Sequence, residues 1–190
     1  MPTKYERIYN QIKIDISEIK DQYEYLNDSA AFGHLVLKLM FDIPDDDANE
    51  AITDGPDDNG IDAIYFETKE SKTVIHFFQF KYPASDSTID NCVNQDKILK
   101  LFNGFEHFIG REDMFLSLSW NELLKEKREQ LLSLDETDNN VLHIVRYTSS
   151  EMNDNIKVLE SKIKELNKIY RAFPGAVTLC RHRVGCSALR

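Results

Sequence analysis

Residues 60–82 read GIDAIYFETKESKTVIHFFQFKY. Two runs rich in Ile, Val, Phe and Tyr, 61–68 and 73–82, flank the polar stretch KESK, the pattern of a β-hairpin. Pro83 ends the second run, because proline cannot donate to a strand ladder. Alternate residues of a strand share a face. Gln79 and Lys81 therefore lie with Ile75 and Phe77, while His76, Phe78, Phe80 and Tyr82 take the opposite face. On the first strand Asp62 lies with Ile64 and Phe66. The start of one hairpin strand lies opposite the end of the other, so Asp62 meets Gln79 and Lys81 at one edge of the sheet.

A buried carboxylate is costly unless it is paired or binds a metal. Two readings of this convergence stand level on spacing alone. In the first, Asp62, the side-chain oxygen of Gln79 and a nearby backbone carbonyl hold a hard divalent cation, Mg²⁺ or Mn²⁺. Lys81 then holds or deprotonates an attacking water, or stabilises charge growing on a phosphate. In the second, Asp62 and Lys81 are a plain ion pair at a sheet edge and Gln79 bonds the backbone. The charge distribution bears on both. From Leu39 to Thr68 there is no Lys or Arg, yet the stretch carries ten acids, among them Asp45, Asp46, Asp47, Asp54, Asp57, Asp58 and Asp62. This is a solvated acidic loop or a cation site, and an anionic substrate approaches it only with the cation in place.

Outward from the hairpin, Ile8, Ile12, Ile16, Ile19 and Tyr23 recur at helical spacing, which predicts an N-terminal helix suited to docking or homodimerisation. NDSAAFGHLVLKLMFDIP, 27–44, predicts a capped, core-facing helix ending before Pro44. ANEAITDG, 48–55, reads as a short strand ending at Gly55. Helices are expected over 87–109 and 120–134, a loop over 135–140, a strand over 141–149 and an amphipathic helix over 153–170. The order suits an α/β sandwich around a mixed sheet. The tail 171–190 has no acid but four arginines and two cysteines; it reads as a strand with a disordered end or as the start of a further region, and is expected to be dispensable for folding of the core. At 190 residues, 42% hydrophobic and 29% charged, the chain has the composition of one globular domain with appendages. No apolar run is long enough to span a bilayer, no secretory leader is expected, and three cysteines make no disulfide framework. A cytoplasmic protein without membrane contact is expected. The net charge of −10 argues against nonspecific nucleic-acid binding.

The pattern of Asp62, a strand-length gap, then Gln79-Phe80-Lys81 resembles the PD-(D/E)XK, restriction-endonuclease-like nucleases, in the branch that uses Gln as Mrr-type enzymes do. AFGHLVLKLMF, AITDGPDDNGIDAIYF and FFQFKY, in that order, resemble the N-terminal part of the abortive infection phage resistance (AIPR) family over roughly 29–82. The resemblance implies a nuclease core of αβββαβ order over 29–150, preceded by an extra N-terminal helix in 1–28 and followed by a C-terminal helix and basic tail in 151–190. It implies Mg²⁺-dependent hydrolysis of DNA or RNA in bacterial antiphage defence. By position Asp62 is the metal aspartate, Gln79 the second ligand and Lys81 the catalytic lysine. Asp58 matches an acid four residues before the metal aspartate, and Gly60 the glycine before it. Gln95, Lys97 and Lys100 fall on the following helix, where such nucleases contact phosphates; a solvated helix face explains them equally. Many relatives carry a metal-reaching Glu in the first helix, where this chain has Gly33 and His34. His34 is expected mainly as a core histidine. The alternative to an enzyme is the same fold with a weak or inactive site, acting as an interaction module. His107 and His143 have no partner at ligand spacing, Cys180, His182 and Cys186 match no standard zinc pattern, and Trp120 is expected to pack.

Overall fold

The hairpin forms where the two-residue period requires it. In the computed structural model, which describes residues 4–70, 72–83, 95–134, 137–147 and 177–184, β1 (Ala63–Lys69) pairs antiparallel with β2 (Lys72–Lys81). The register sets Ala63 opposite Phe78 and Lys69 opposite Lys72, and Glu70 turns the chain at φ 57°. β3 (Thr137–Tyr147) runs parallel to β2, and β4 (Val177–Val184) parallel to β3. The sheet is mixed and open, in the order β1-β2-β3-β4. Parallel neighbours need a crossover, and the described residues between β2 and β3 hold α4 (Gln95–Ile109), α5 (Glu112–Phe115) and α6 (Glu122–Leu132).

The alternation along β1 and β2 sends side chains into two separate cores. Ile64, Ile75 and Phe77 pack with Leu101, Phe105 and Phe108 of α4 and with Leu142 and Ile144 of β3. On the other face Ala63, Phe78, Phe80 and Val145 meet the three N-terminal helices: α1 (Lys4–Gln22), α2 (Asp28–Phe41) and α3 (Asp45–Ala51). The molecule is therefore mixed α/β, with helices on both faces of the sheet. α2 starts where Asn27 accepts a hydrogen bond from the Ala30 N–H and ends on Asp42 in the left-handed conformation, and α1 lays Ile16 and Ile19 into the same core. Trp120 packs as expected: it stacks on Phe115 at 5.2 Å, and its indole N–H donates to the Phe115 carbonyl.

Several expectations change. Residues 48–55 are not a strand: Asp45–Ala51 is helical, and only Ile52 bridges Ala63. Asp45, Asp46 and Asp47 occupy the first turn, where carboxylates favour the helix N-terminus, and Ala48 and Ala51 bury against α2. Among the described residues two strands, not three, thus precede α4. The loop expected over 135–140 gives way to β3 from Thr137 onward. The tail, expected to be dispensable, supplies β4, which pairs with β3 from Asn140 to Tyr147. The helix expected over 153–170 lies outside the described residues, as do residues 87–94 of the helix expected over 87–109.

Candidate metal centre

Asp62 sits just before β1, fixed by its backbone. Its N–H donates to the Phe78 carbonyl at 2.8 Å, and its own carbonyl accepts from the Thr53 N–H at 3.0 Å. The residue is 5% exposed. Its Oδ2 accepts a 2.6 Å hydrogen bond from the Phe80 N–H and lies 3.5 Å from Lys81 Nζ. Burial pushes the Asp62 carboxyl up to about 7. The Lys81 ammonium and the Phe80 N–H pull it down, while Asp54 and Asp58 push it further up.

The loop before β1 brings the other two carboxylates in. Asp58 Oδ1 accepts from the Gly60 N–H at 2.7 Å and from Lys100 Nζ at 2.8 Å. Asp54 Oδ2 accepts from the Asn27 amide at 2.6 Å. One carboxylate oxygen from each of Asp54, Asp58 and Asp62 lies within 4.8 Å of the others. The loop is held from outside by polar ties: the Asn59 amide donates to the Ser119 carbonyl at 2.7 Å, and the Asn121 amide to the Thr53 carbonyl at 2.9 Å. It is also held by close backbone approach. Gly60 has φ +84°, and a Cβ there would stand 2.9 Å from the Leu101 nitrogen, so only glycine fits without strain. Gln79, 2% exposed, donates from Nε2 to the Gly60 carbonyl at 3.3 Å, making Oε1 the acceptor end of its amide.

Asp62, Gln79 and Lys81 thus come together at the end of the hairpin that the register predicts, and the loop before β1 brings Asp58 and Gly60 to them. Both features of the plain reading are present, the Asp62–Lys81 pair and the Gln79 bond to backbone. What that reading does not contain is the convergence of Asp54 and Asp58. In the sequence Asp54 is one acid among several in the Lys- and Arg-free stretch, with no ligand role of its own. Its spacing from Asp58 and Asp62 is four and four, a helix-face signal, but Gly55, Pro56 and Gly60 forbid a helix there, so the direction of its side chain could not be read. Lys100 reaches the cluster through Asp58. The side chains of Gln95 and Lys97, in the first turn of α4, lie outside the described residues. His34 is engaged elsewhere: fully buried, it bonds the Tyr25 hydroxyl at 2.9 Å and Asp45 at 3.0 Å, and burial lowers its pKa. Its neighbour Gly33 faces the Phe80 ring, where a Cβ would stand 2.5 Å from Cδ2. His143, without an evident partner in the sequence, meets His76 at 2.8 Å.

The donor set fits a hard cation. Carboxylate oxygens and an amide oxygen are the ligands Mg²⁺ and Mn²⁺ take. Ligand distances of about 2.1 Å put neighbouring oxygens about 3 Å apart and opposite ones about 4 Å apart. The three oxygens, within 4.8 Å of one another, stand somewhat wider than that. Among the described residues the ammonium groups paired with the three carboxylates are Lys81 and Lys100, a balance that a divalent cation reverses. No family model matches the chain, and neither the curated proteins nor the solved structures provide a significant match. Among the described residues no helix is long and apolar enough to cross a membrane.

Proposed function

We propose that this chain is a restriction-endonuclease-like nuclease that hydrolyses phosphodiester bonds of DNA or RNA with Mg²⁺ or Mn²⁺, in antiphage defence. The observation that carries the reading is the convergence of Asp54, Asp58 and Asp62 beside Lys81 at one end of the hairpin. The order of the three AIPR-like blocks supports the family and the defence role. Asp62, Asp58, Asp54 and the Gln79 amide oxygen would hold the cation. When bound, the cation supplies charge neutralisation at the phosphate and a more acidic bound water. The Phe80 N–H keeps Asp62 in one rotamer. Lys81, about a third exposed, directs its ammonium toward negative charge that grows on the phosphate, an interaction strongest in the transition state. Lys100, more than half exposed, has reach toward an incoming backbone phosphate.

Lys81→Met separates this role from a structural one. Under the nuclease reading, fold and metal binding survive and single-turnover cleavage of plasmid or RNA falls about a hundredfold or more. If Lys81 is only an ion-pair partner, the substitution instead costs stability, because Asp62 is left as a lone buried charge. A folded, metal-binding Lys81→Met protein that cleaves at the parental rate removes Lys81 from the chemistry. The second reading, an interaction module with an inactive site, is favoured by the net charge of −10 and by the pairing of both lysines with site carboxylates. A parent that cleaves neither DNA nor RNA in either metal selects it.

A further inference from the structure

On the face of the sheet away from α4, two histidines meet head to head. His76 Nδ1 of β2 and His143 Nε2 of β3 are 2.8 Å apart, with ring centroids 5.1 Å apart and planes 30° from parallel. The rings are 7% and 4% exposed as residues, and Phe78 stacks on His143 at 4.3 Å. At its far side His76 Nε2 lies 3.3 Å from Glu67 Oε2 of β1. We infer that Glu67, His76 and His143 form an acid-sensitive clasp across β1, β2 and β3, which admits one positive charge and opens when both rings are protonated.

The argument is one of proton count. Each neutral imidazole has one N–H and one lone pair. The Glu67 carboxylate accepts from His76 Nε2–H, which leaves Nδ1 as the acceptor for His143 Nε2–H. A first proton is tolerated: His76 donates at both nitrogens, to Glu67 and to His143, which shifts its own proton to Nδ1. A second proton puts two N–H groups against each other in a gap that holds one, in a buried setting where like charges are costly. Among the described residues, aromatic rings flank the clasp. Tyr65 of β1 stacks near His76 at 6.2 Å, and α2 presents the Phe41 ring at 4.8 Å. The titratable residues of α2 are turned elsewhere: His34 and Lys38 bind Asp45, and Asp42 is exposed. Cys180 of β4 stands in register with His143. The inference does not depend on the metal centre.

In the unfolded chain both rings titrate near pH 6.5. In the fold the second proton binds only at lower pH, so the clasp's contribution is present above pH 6.5 and is lost as pH falls through that depressed value. Melting temperatures of parent, His143→Gln and Glu67→Gln are compared at pH 7.5 and 5.5. Glutamine at 143 can still accept from His76 and leaves a single ring to charge. The parent is expected to lose about 4 °C more than His143→Gln over this interval, and Glu67→Gln, without its anion, more than the parent. Equal losses in parent and His143→Gln overturn the inference. A readout that needs no variant is the imidazole carbon resonances of the parent from pH 8 to 5. One proton taken up by the pair in the folded protein supports the clasp, and two with the fold intact overturn it. A melting temperature raised by Zn²⁺ in the parent but not in His143→Gln makes the pair a metal ligand set and also overturns it.

Discussion

Asp62 combines a backbone anchor with a carboxyl that burial drives to about 7, so the residue reports on the site without any substrate. A folded pKa raised above the unfolded value of about 3.9 means that the folded state holds the proton longer. The associated stability is full below pH 3.9 and is lost as pH rises through about 7. In chelator, the melting temperature of the parent is expected to fall between pH 5 and pH 8, by the equivalent of about 3 kcal/mol at most. Asp62→Asn removes that fall. Mg²⁺ added at pH 8 raises the parent by mass action and leaves Asp62→Asn unmoved. A variant with the parental pH slope, or with the parental Mg²⁺ response, moves the site away from Asp62. At this scale the sequence was legible wherever a strand fixed the direction of a side chain. The two-residue period placed Asp62, Gln79 and Lys81 together, whereas Asp54 and Asp58 lie in irregular backbone, where no period says which way a carboxylate points.

The elements around the site differ in how openly their sequences declare them. The hairpin and α2 are declared by alternation and by caps. α3 is not: seven residues with three aspartates carry too little apolar pattern to tell helix from strand, and the decision falls to helix-end electrostatics and to Ala48 and Ala51 packing beneath α2. α4 has a further role that its pattern hides. A Cβ at Gly104 would collide with the Asn59 carbonyl oxygen, so this helix approaches the acidic loop backbone to backbone. Gly→Ala inside a helix ordinarily stabilises by up to about 1 kcal/mol. Here the sign should reverse, because neither partner atom is a movable side chain, and overpacking costs about 1–3 kcal/mol. Gly104→Ala is expected to lower stability by about 2 kcal/mol in denaturant titration and to weaken the Mg²⁺ response by shifting Asp58. A neutral or stabilising Gly104→Ala shows the loop adjusting freely, and Gly104 then has no part in placing the carboxylates.

For the molecule as a whole, the decisive feature is that its sheet is completed by residues distant in the chain. The sequence of the basic tail allows a strand, but its abrupt change of composition and its alternating Arg and His, which mark no apolar face, set it apart from the core. Val177–Val184 nevertheless forms β4, parallel to β3. Local pattern cannot reveal such a pairing, because a parallel neighbour is reached through a long crossover. The consequence reverses the expectation that the tail is dispensable. Leu142 and Ile144 of β3 are fully buried in the core with α4, and Val145 lies in the core on the other face. Removing β4 turns β3 into an edge with a row of unpaired N–H and C=O groups, the arrangement that templates association between chains. A chain trimmed of residues 171–190 is expected to melt about 10 °C lower, from the loss of several backbone hydrogen bonds, and to elute as larger species at micromolar concentration. Because β2 carries Gln79 and Lys81 and is held on its other side by β3, the trimmed chain should also respond more weakly to Mg²⁺. A trimmed protein that stays monomeric at the parental melting temperature makes β4 a removable edge, with the strands that carry the site stable without it.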